Sequence, residues 1–352
     1  MTDLKQEIME YVLKAGATAA RVTVKENLSG PPSADPTYLL PAARSVIAFN
    51  VALDRDFIPD YFGKISRLPF RYEMYRVYQS VGSIGRLVAD YLTSRGFQAV
   101  GLSPNGVYRR ELSRPGFMVP DFSVRFAALA SGLATQGWSG NVLSPGLWAA
   151  AFYGAVITDA ELQPDPPTPE AVCDQCKLCT AVCPPRFFSA KESQTVTLGD
   201  REFTCAARRN HMRCGISCAG FAGLSRDKKW GSWSTGPATT PENDEDLPEF
   251  NRQAMKDPLN AHLLSHIYPT VLEKDKGEGV LRRRMADTNP TCCNCLLLCS
   301  GPRPWREKLV KLLHCSGTVT WENNQEVVKN RNTEKSSALL YEIKKEMAEM
   351  LG

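Results

Sequence analysis

No run of eighteen apolar residues occurs in the 352-residue chain, so the sequence predicts no membrane-spanning helix. The opening stretch MTDLKQEIMEYVLKAG has neither an apolar secretion core nor a twin arginine, and a cytoplasmic protein is expected. Histidine is scarce, with four in all. His262 and His266 stand four apart, but no glutamate or third ligand follows them, so they read as ordinary surface or core residues. Net charge is small as well. A formal +4 on a chain of this length lacks the basic surface of a general nucleic-acid binder, so nucleic acid is not an expected partner. Basic runs at 208–209 and 282–284 read as solvated surface. No internal repeat is visible beyond paired cysteine motifs.

Cysteine, in contrast, is abundant, with twelve residues. In 171-AVCDQCKLCTAVCPP-185, Cys173, Cys176, Cys179 and Cys183 form C-x2-C-x2-C-x3-C-P. Neighbours this close seldom meet disulfide geometry without strain. Structural zinc takes one C-x2-C pair and a distant second pair, which leaves the third cysteine surplus. The full run is the bacterial ferredoxin pattern, in which three thiolates hold one [4Fe-4S] cube and the fourth serves another. A second cluster is therefore required. In 289-NPTCCNCLLLCSGP-302, Cys292, Cys295 and Cys299 repeat C-x2-C-x3-C, with Asn289 where a leading cysteine would stand and Ser300 replacing the closing proline. Cross-ligation assigns Cys173, Cys176, Cys179 and Cys299 to the first cluster, and Cys183, Cys292, Cys295 and one more to the second. Candidates for the last ligand are Cys205, Cys214, Cys218, Cys293 and, distantly, Cys315, with Cys205 preferred. Cys214 and Cys218 otherwise read as packed thiols. Such thiolates point to a reducing interior.

The prolines of 163-QPDPPTP-169 divide the chain. Residues 1–167 alternate helical and apolar β-branched patterns: a helix near 3–15, strands at 20–24 and 45–53, and a long helix within 70–96 that stops at Gly96. A strand at 98–103, a helix at 122–134 and a strand at 150–158 follow, which reads as an α/β domain. Residues 168–302 carry the cysteines, with a long insertion at about 206–290, and 303–352 form a helical tail with helices near 304–314 and 336–350. Phe221, Trp230 and Trp233 argue for an ordered insertion, because aromatic mass needs burial.

One family matches the order of these motifs. The stretch 137-GWSGNVLSPGLWAAAFYGAVITDAELQPDPP-167, leading straight into the first cysteine run, resembles the epoxyqueuosine reductase and reductive dehalogenase superfamily. The segment 40-LPAARSVIAFNVAL-53 resembles that family's L-P-x-A-x-S-V-I strand, and 63-GKISR-67 its G-x-I-S-R loop; the likeness covers roughly 30–205 and 289–300. It implies a nitroreductase-like cobalamin-binding domain followed by a ferredoxin-like double-cluster domain, with single electrons passing from two [4Fe-4S] clusters to cobalt. It also implies a proton-donating aspartate sixteen residues before the glycine of G-W-x-G, which is Asp121 here. Read from the residues alone, Asp121 also suits the N-cap of a helix starting at Phe122. Gly137, Trp138, Ser139, Gly140 and Asn141, with Tyr153 and Gly154, are expected to line the corrin, since small residues let backbone approach a ligand. Tyr153 and Arg125 are reserve donors, and Arg125 is placed to hold a substrate anion or to pair with Asp121.

The departures are informative. No lysine precedes Asn141, 72-YEMY-75 replaces an aspartate-tyrosine-histidine triplet, and the tRNA-holding helical repeat is missing. The expected function is therefore a cobalamin-dependent iron–sulfur reductase of a small organic substrate, fed by a low-potential donor such as ferredoxin or flavodoxin, with the insertion as a lid. The alternative is a double-cluster electron-transfer protein without its own substrate. A pure carrier needs neither a proton donor nor a corrin pocket.

Overall fold

In the computed structural model, residues 4–104, 107–113, 119–168, 171–256, 273–274, 281–282, 290–323 and 325–351 are described. His262, His266, Asn289 and much of the insertion lie outside them. The first half runs α1 (Leu4–Lys14), β1 (Ala19–Val24), β2 (Ser45–Ala52), α2 (Ile58–Phe62), α3 (Leu68–Ser94), β3 (Ala99–Leu102), α4 (Val124–Ala130), β4 (Thr135–Gln136), β5 (Val142–Leu143) and β6 (Ala151–Thr158). Strands β1, β2, β6 and β3 pair in that order, all antiparallel. The mixed helix and strand content agrees with expectation, and α3 crosses between two strands that run parallel to each other, since each is antiparallel to β6. Its flanking strands β2 and β3 both pair with β6 instead of with each other.

Side chains on the two central strands alternate between two cores, as a period of two requires. Ile47, Phe49, Val51, Phe152 and Val156 pack with α1 and α3; Val46, Ala48, Tyr153, Ala155 and Ile157 pack with α4. Helix α3 is 27 residues long, buries Val77, Val81, Ile84, Val88 and Leu92 at helical spacing, and gives way at Gly96, whose φ of 89° is left-handed. Its packing on the sheet requires Gly154. A Cβ there would lie 2.3 Å from Phe49 Cζ and 2.8 Å from Val81 Cγ1. Gly154→Ala is thus expected to cost about 1–3 kcal/mol of stability by overpacking. Urea denaturation should show a lower midpoint at an unchanged m-value.

The second half runs α5 (Leu178–Ala181), β7 (Phe188–Leu198), β8 (Arg201–Arg208), α6 (Met212–Cys218), β9 (Ala222–Leu224), β10 (Ala238–Thr239), α7 (Leu247–Lys256), β11 (Glu273–Lys274) and β12 (Leu281–Arg282). It closes with α8 (Asn294–Leu298), α9 (Arg303–Cys315), β13 (Thr318–Glu322), β14 (Gln325–Lys329) and α10 (Thr333–Leu351). The long β7–β8 hairpin falls where the sequence reads no periodicity. Its signal is the two-residue turn Gly199–Asp200, with Gly199 left-handed at φ 60°. Helices α9 and α10 match the expected tail, but the β13–β14 hairpin between them was missed. Trp305, Leu309, Leu312, Ile343 and Met347 from these helices join the core of α2 and α3. No described helix is long and apolar enough to cross a membrane.

Candidate metal centres

The first cysteine run winds tightly because three non-glycine residues, Gln175, Lys177 and Arg186, take left-handed φ values between 52° and 57°. Such backbone is costly and persists where surrounding structure over-determines it. Cys179 lies on α5 and is buried, while Cys299 ends α8 and is buried too. Burial pushes the Cys179 thiol up, and Cys299, Cys295, Cys176 and Cys173 push it further. Cys299 is pushed up to about 12, chiefly by burial, with Arg306 opposing and Cys295, Cys173 and Cys176 adding. Cys173 and Cys176 thus act on both Cys179 and Cys299, and Cys295 acts on both as well.

Cys183 turns the other way. Its thiol is raised by burial and by Cys295, Cys292 and Cys214. Burial and then Cys214 raise both Cys292 and Cys295, the latter to about 11. Among the thiols outside the two motifs, Cys214 is the one that acts on all three of Cys183, Cys292 and Cys295. Cys205 sits on β8, buried opposite Gln194, with Phe203 two residues before it packed into the α4 core. Strand parity sends Cys205 to that same face, and the structure does not bring it to Cys183. On α6, Cys214 and Cys218 share a helical face with their sulfurs 3.9 Å apart. Cys218 also reaches the Cys292 carbonyl at 3.2 Å, and its hydrogen bond to Cys214 lowers the Cys214 pKa. The sequence signal for this was the C-x3-C spacing in 214-CGISC-218, one helical turn. Cys293 lies nearby, with its backbone N–H on the Tyr61 hydroxyl, and Cys315 is remote on α9.

N–H donors point at the sulfurs. The Trp138 backbone N–H donates to Cys173 Sγ at 3.4 Å, the Phe187 N–H to Cys183 Sγ at 3.3 Å, and Asn141 Nδ2 to Cys295 Sγ at 3.8 Å. Arg306, 4% exposed, donates to Cys176 Sγ at 3.1 Å while paired with Asp174 at 2.8 Å. Donors on sulfur stabilise thiolate and tune a bound cluster. Cys183, Cys214, Cys292 and Cys295 are half-buried. Among the described residues, no three His, Cys, Asp or Glu side chains close around a single metal ion.

The loop Gly137–Asn141 is wedged against these thiols. Trp138 is buried, its indole N–H on the Ser189 carbonyl and Lys177 4.2 Å over its ring. The Ser139 carbonyl accepts from Arg208 and the Gly140 carbonyl from Arg125. Gly140 is left-handed at φ 75°, and a Cβ there would meet Arg208 Nη2 at 1.6 Å, so the close approach this glycine permits is made by a guanidinium. Tyr153 and Gly154 do not join the loop in one surface. Adjacent on β6, they point to opposite faces: Tyr153 bonds the Ser144 hydroxyl at 2.9 Å, and Gly154 packs under Phe49. Burial raises the Tyr153 pKa, which makes it a poor proton source.

Asp121 is half-buried ahead of α4. Its pKa is raised by burial, against a hydrogen bond from the Phe122 N–H and the charge of Arg109. It is not the N-cap. Ser123 takes that place, accepting from the Phe126 N–H, and the helix starts at Val124. Arg125 bonds Gly140 rather than Asp121, and Arg109 holds the Asp121 carbonyl at 3.0 Å. The sequence reading also passed over Lys64, in the G-K-I-S-R loop. It is buried, bonds the Gly231 carbonyl and Ser316 hydroxyl, and has its pKa lowered to about 7 by desolvation. With Arg67, Arg71, Trp233 and Trp321 it lines a cleft of about 380 Å³.

No family model matches this sequence, and no curated protein matches it. Solved structures do resemble it. A reductive dehalogenase, described with a mechanism for B12-dependent dehalogenation, is 15% identical with a TM-score of 0.47, over 75% of this chain and 36% of that one. The chain thus spans about a third of the dehalogenase's length. An epoxyqueuosine reductase bound to an epoxyqueuosine-modified tRNA-Tyr stem loop is 16% identical with a TM-score of 0.40, over 89% and 80%. The epoxyqueuosine reductase of Streptococcus thermophilus is 16% identical with a TM-score of 0.42, over 75% and 81%.

Proposed function

We propose that the chain is an iron–sulfur oxidoreductase that moves electrons through two [4Fe-4S] clusters to a small organic substrate. Cys173, Cys176, Cys179 and Cys299 hold the first cluster; Cys183, Cys292, Cys295 and Cys214 hold the second. The observation that supports this reading is the divergence within one motif: Cys299 is the strongest thiol acting on Cys179, whereas Cys295, Cys292 and Cys214 act on Cys183, with Cys295 lying between the two sets and acting on both. Asp121 supplies the proton that balances the electrons arriving at the substrate, because burial favours its neutral form. A low-potential ferredoxin or flavodoxin serves as donor. The small net charge of +4 supports a small molecule over a nucleic acid as substrate.

Cobalamin belongs to this reading as the group that would receive the electrons next to the substrate, where its cobalt would supply a strongly reducing centre. One observation favours it: Arg125, bound to the Gly140 carbonyl of the loop, is exposed and so is open to a ligand. The seven residues read from sequence do not fit it as a set, since Tyr153 and Gly154 pack in the core and Arg208 covers Gly140. No step is derived through it. Anaerobic reconstitution should load about eight irons, four per cube. A content near four would sink the two-cluster reading. Titration of the loaded protein with cobalamin, followed by its visible spectrum, tests the second part. No spectral change at micromolar protein would leave the chain as a carrier or a reductase with another terminal group.

A further inference from the structure

Two guanidiniums converge on the Ser139–Gly140 backbone, and among the described residues no carboxylate is bonded to either. Arg125 spends one of its five N–H donors on the Gly140 carbonyl, at 3.2 Å. The strongest charges around it come from Arg208, Cys205, Tyr108 and Tyr78, none of them a carboxylate. Among the described residues, the Arg208 side chain reaches the Ser139 carbonyl at 3.5 Å and the Phe187 ring, while its Nε is buried without a partner. His211 lies in the field of both arginines, which with burial keep its ring neutral. Desolvation and Arg208 together lower Arg125 to about 10. Holding like charges close together costs free energy unless something negative joins them. A loaded second cluster offsets part of the Arg208 charge, since Arg208 also acts on Cys214 and Cys295. Arg125 has no such partner, and it keeps accessible surface.

We infer that Arg125 and Arg208 form an oxyanion site, built to take a carboxylate or phosphate group of a small ligand beside the Gly137–Asn141 loop. Planar guanidinium forks match such groups through paired N–H···O bonds. The site rests on geometry independent of the reductase reading, and it deepens that reading by giving the substrate an acidic handle close to the second cluster.

The test is calorimetric, on anaerobic, cluster-loaded protein, with benzoate, inorganic phosphate and neutral benzamide as probes. Wild type should bind benzoate or phosphate and leave benzamide unbound. Arg125→Gln should weaken that binding at least about 10-fold, the loss of one charge-assisted pair, with iron content and EPR signals unchanged. Arg125→Lys should recover part of it. Preference for benzoate would identify a carboxylate substrate; preference for phosphate, together with tighter binding of cobalamin than of phosphate-free cobinamide, would identify a nucleotide tail. Absence of binding by both anions, equal binding of benzamide, or unchanged affinity in Arg125→Gln and Arg208→Gln would overturn the proposal. An altered cluster potential in Arg208→Gln with anion affinity intact would also overturn it, by assigning Arg208 to the cluster alone.

Discussion

Cys214→Ala is expected to leave about four of eight irons, with one cluster's EPR signal gone and the other intact. Cys205→Ala is expected to keep both. The contrast is sharp because the two residues are only nine positions apart and similar in sequence context. Cys205 lies on a strand whose pleat turns it toward the α4 core, whereas Cys214 lies on α6 and is named among the charges on Cys183, Cys292 and Cys295. The thiols of Cys183, Cys292 and Cys295 have raised pKa values, so binding iron there must displace protons, and losing one ligand leaves the remaining three short of a closed shell. Cys179→Ala should remove the complementary signal. Cys218→Ala should retain iron but lose the sulfur 3.9 Å from Cys214, moving the second cluster's potential more than its content. Iron loss in Cys205→Ala with full loading of Cys214→Ala would reverse the assignment.

Asp121→Asn is expected to lower turnover by about 10²- to 10⁴-fold, the usual contribution of a positioned acid. The substitution keeps the shape of the side chain and an oxygen for the Phe122 N–H, and the helix cap resides on Ser123, so the fold should be untouched. The pH profile is diagnostic. Because burial raises the Asp121 pKa, its neutral form persists above the ordinary aspartate range. Wild-type turnover should fall as pH rises through that raised value, and the asparagine variant should be low without this limb. The linked stability has the same sense. The preference for the neutral carboxyl stabilises the fold below the ordinary aspartate pKa and is lost as pH rises through the folded one. Full turnover in Asp121→Asn, with iron content matched to wild type, would remove the residue from the chemistry.

Local patterns carried much of this molecule. The C-x2-C-x2-C-x3-C-P run, the apolar runs of residues 45–53 and 150–158, and the glycine stop after α3 are short-range signals, and each corresponds to a feature of the structure. They work because ligand spacing, strand pleat and helix termination depend on residues within a few positions of one another. The fourth thiol of the second set was not legible in this way. Choosing between Cys205 and Cys214 required knowing that 201–208 is a strand with a fixed pleat and that 212–218 is a helix leaning toward α8. The same holds for the loop, where Gly140 looked like room for a ligand and Arg208, 68 positions later, occupies it. Tyr153 and Gly154, neighbours in the chain, were parted by the sheet. Spacing along the chain names which groups can do chemistry, while long-range packing chooses which of them meet, because side-chain direction and the desolvation of charge exist only once strands, helices and loops have closed on one another.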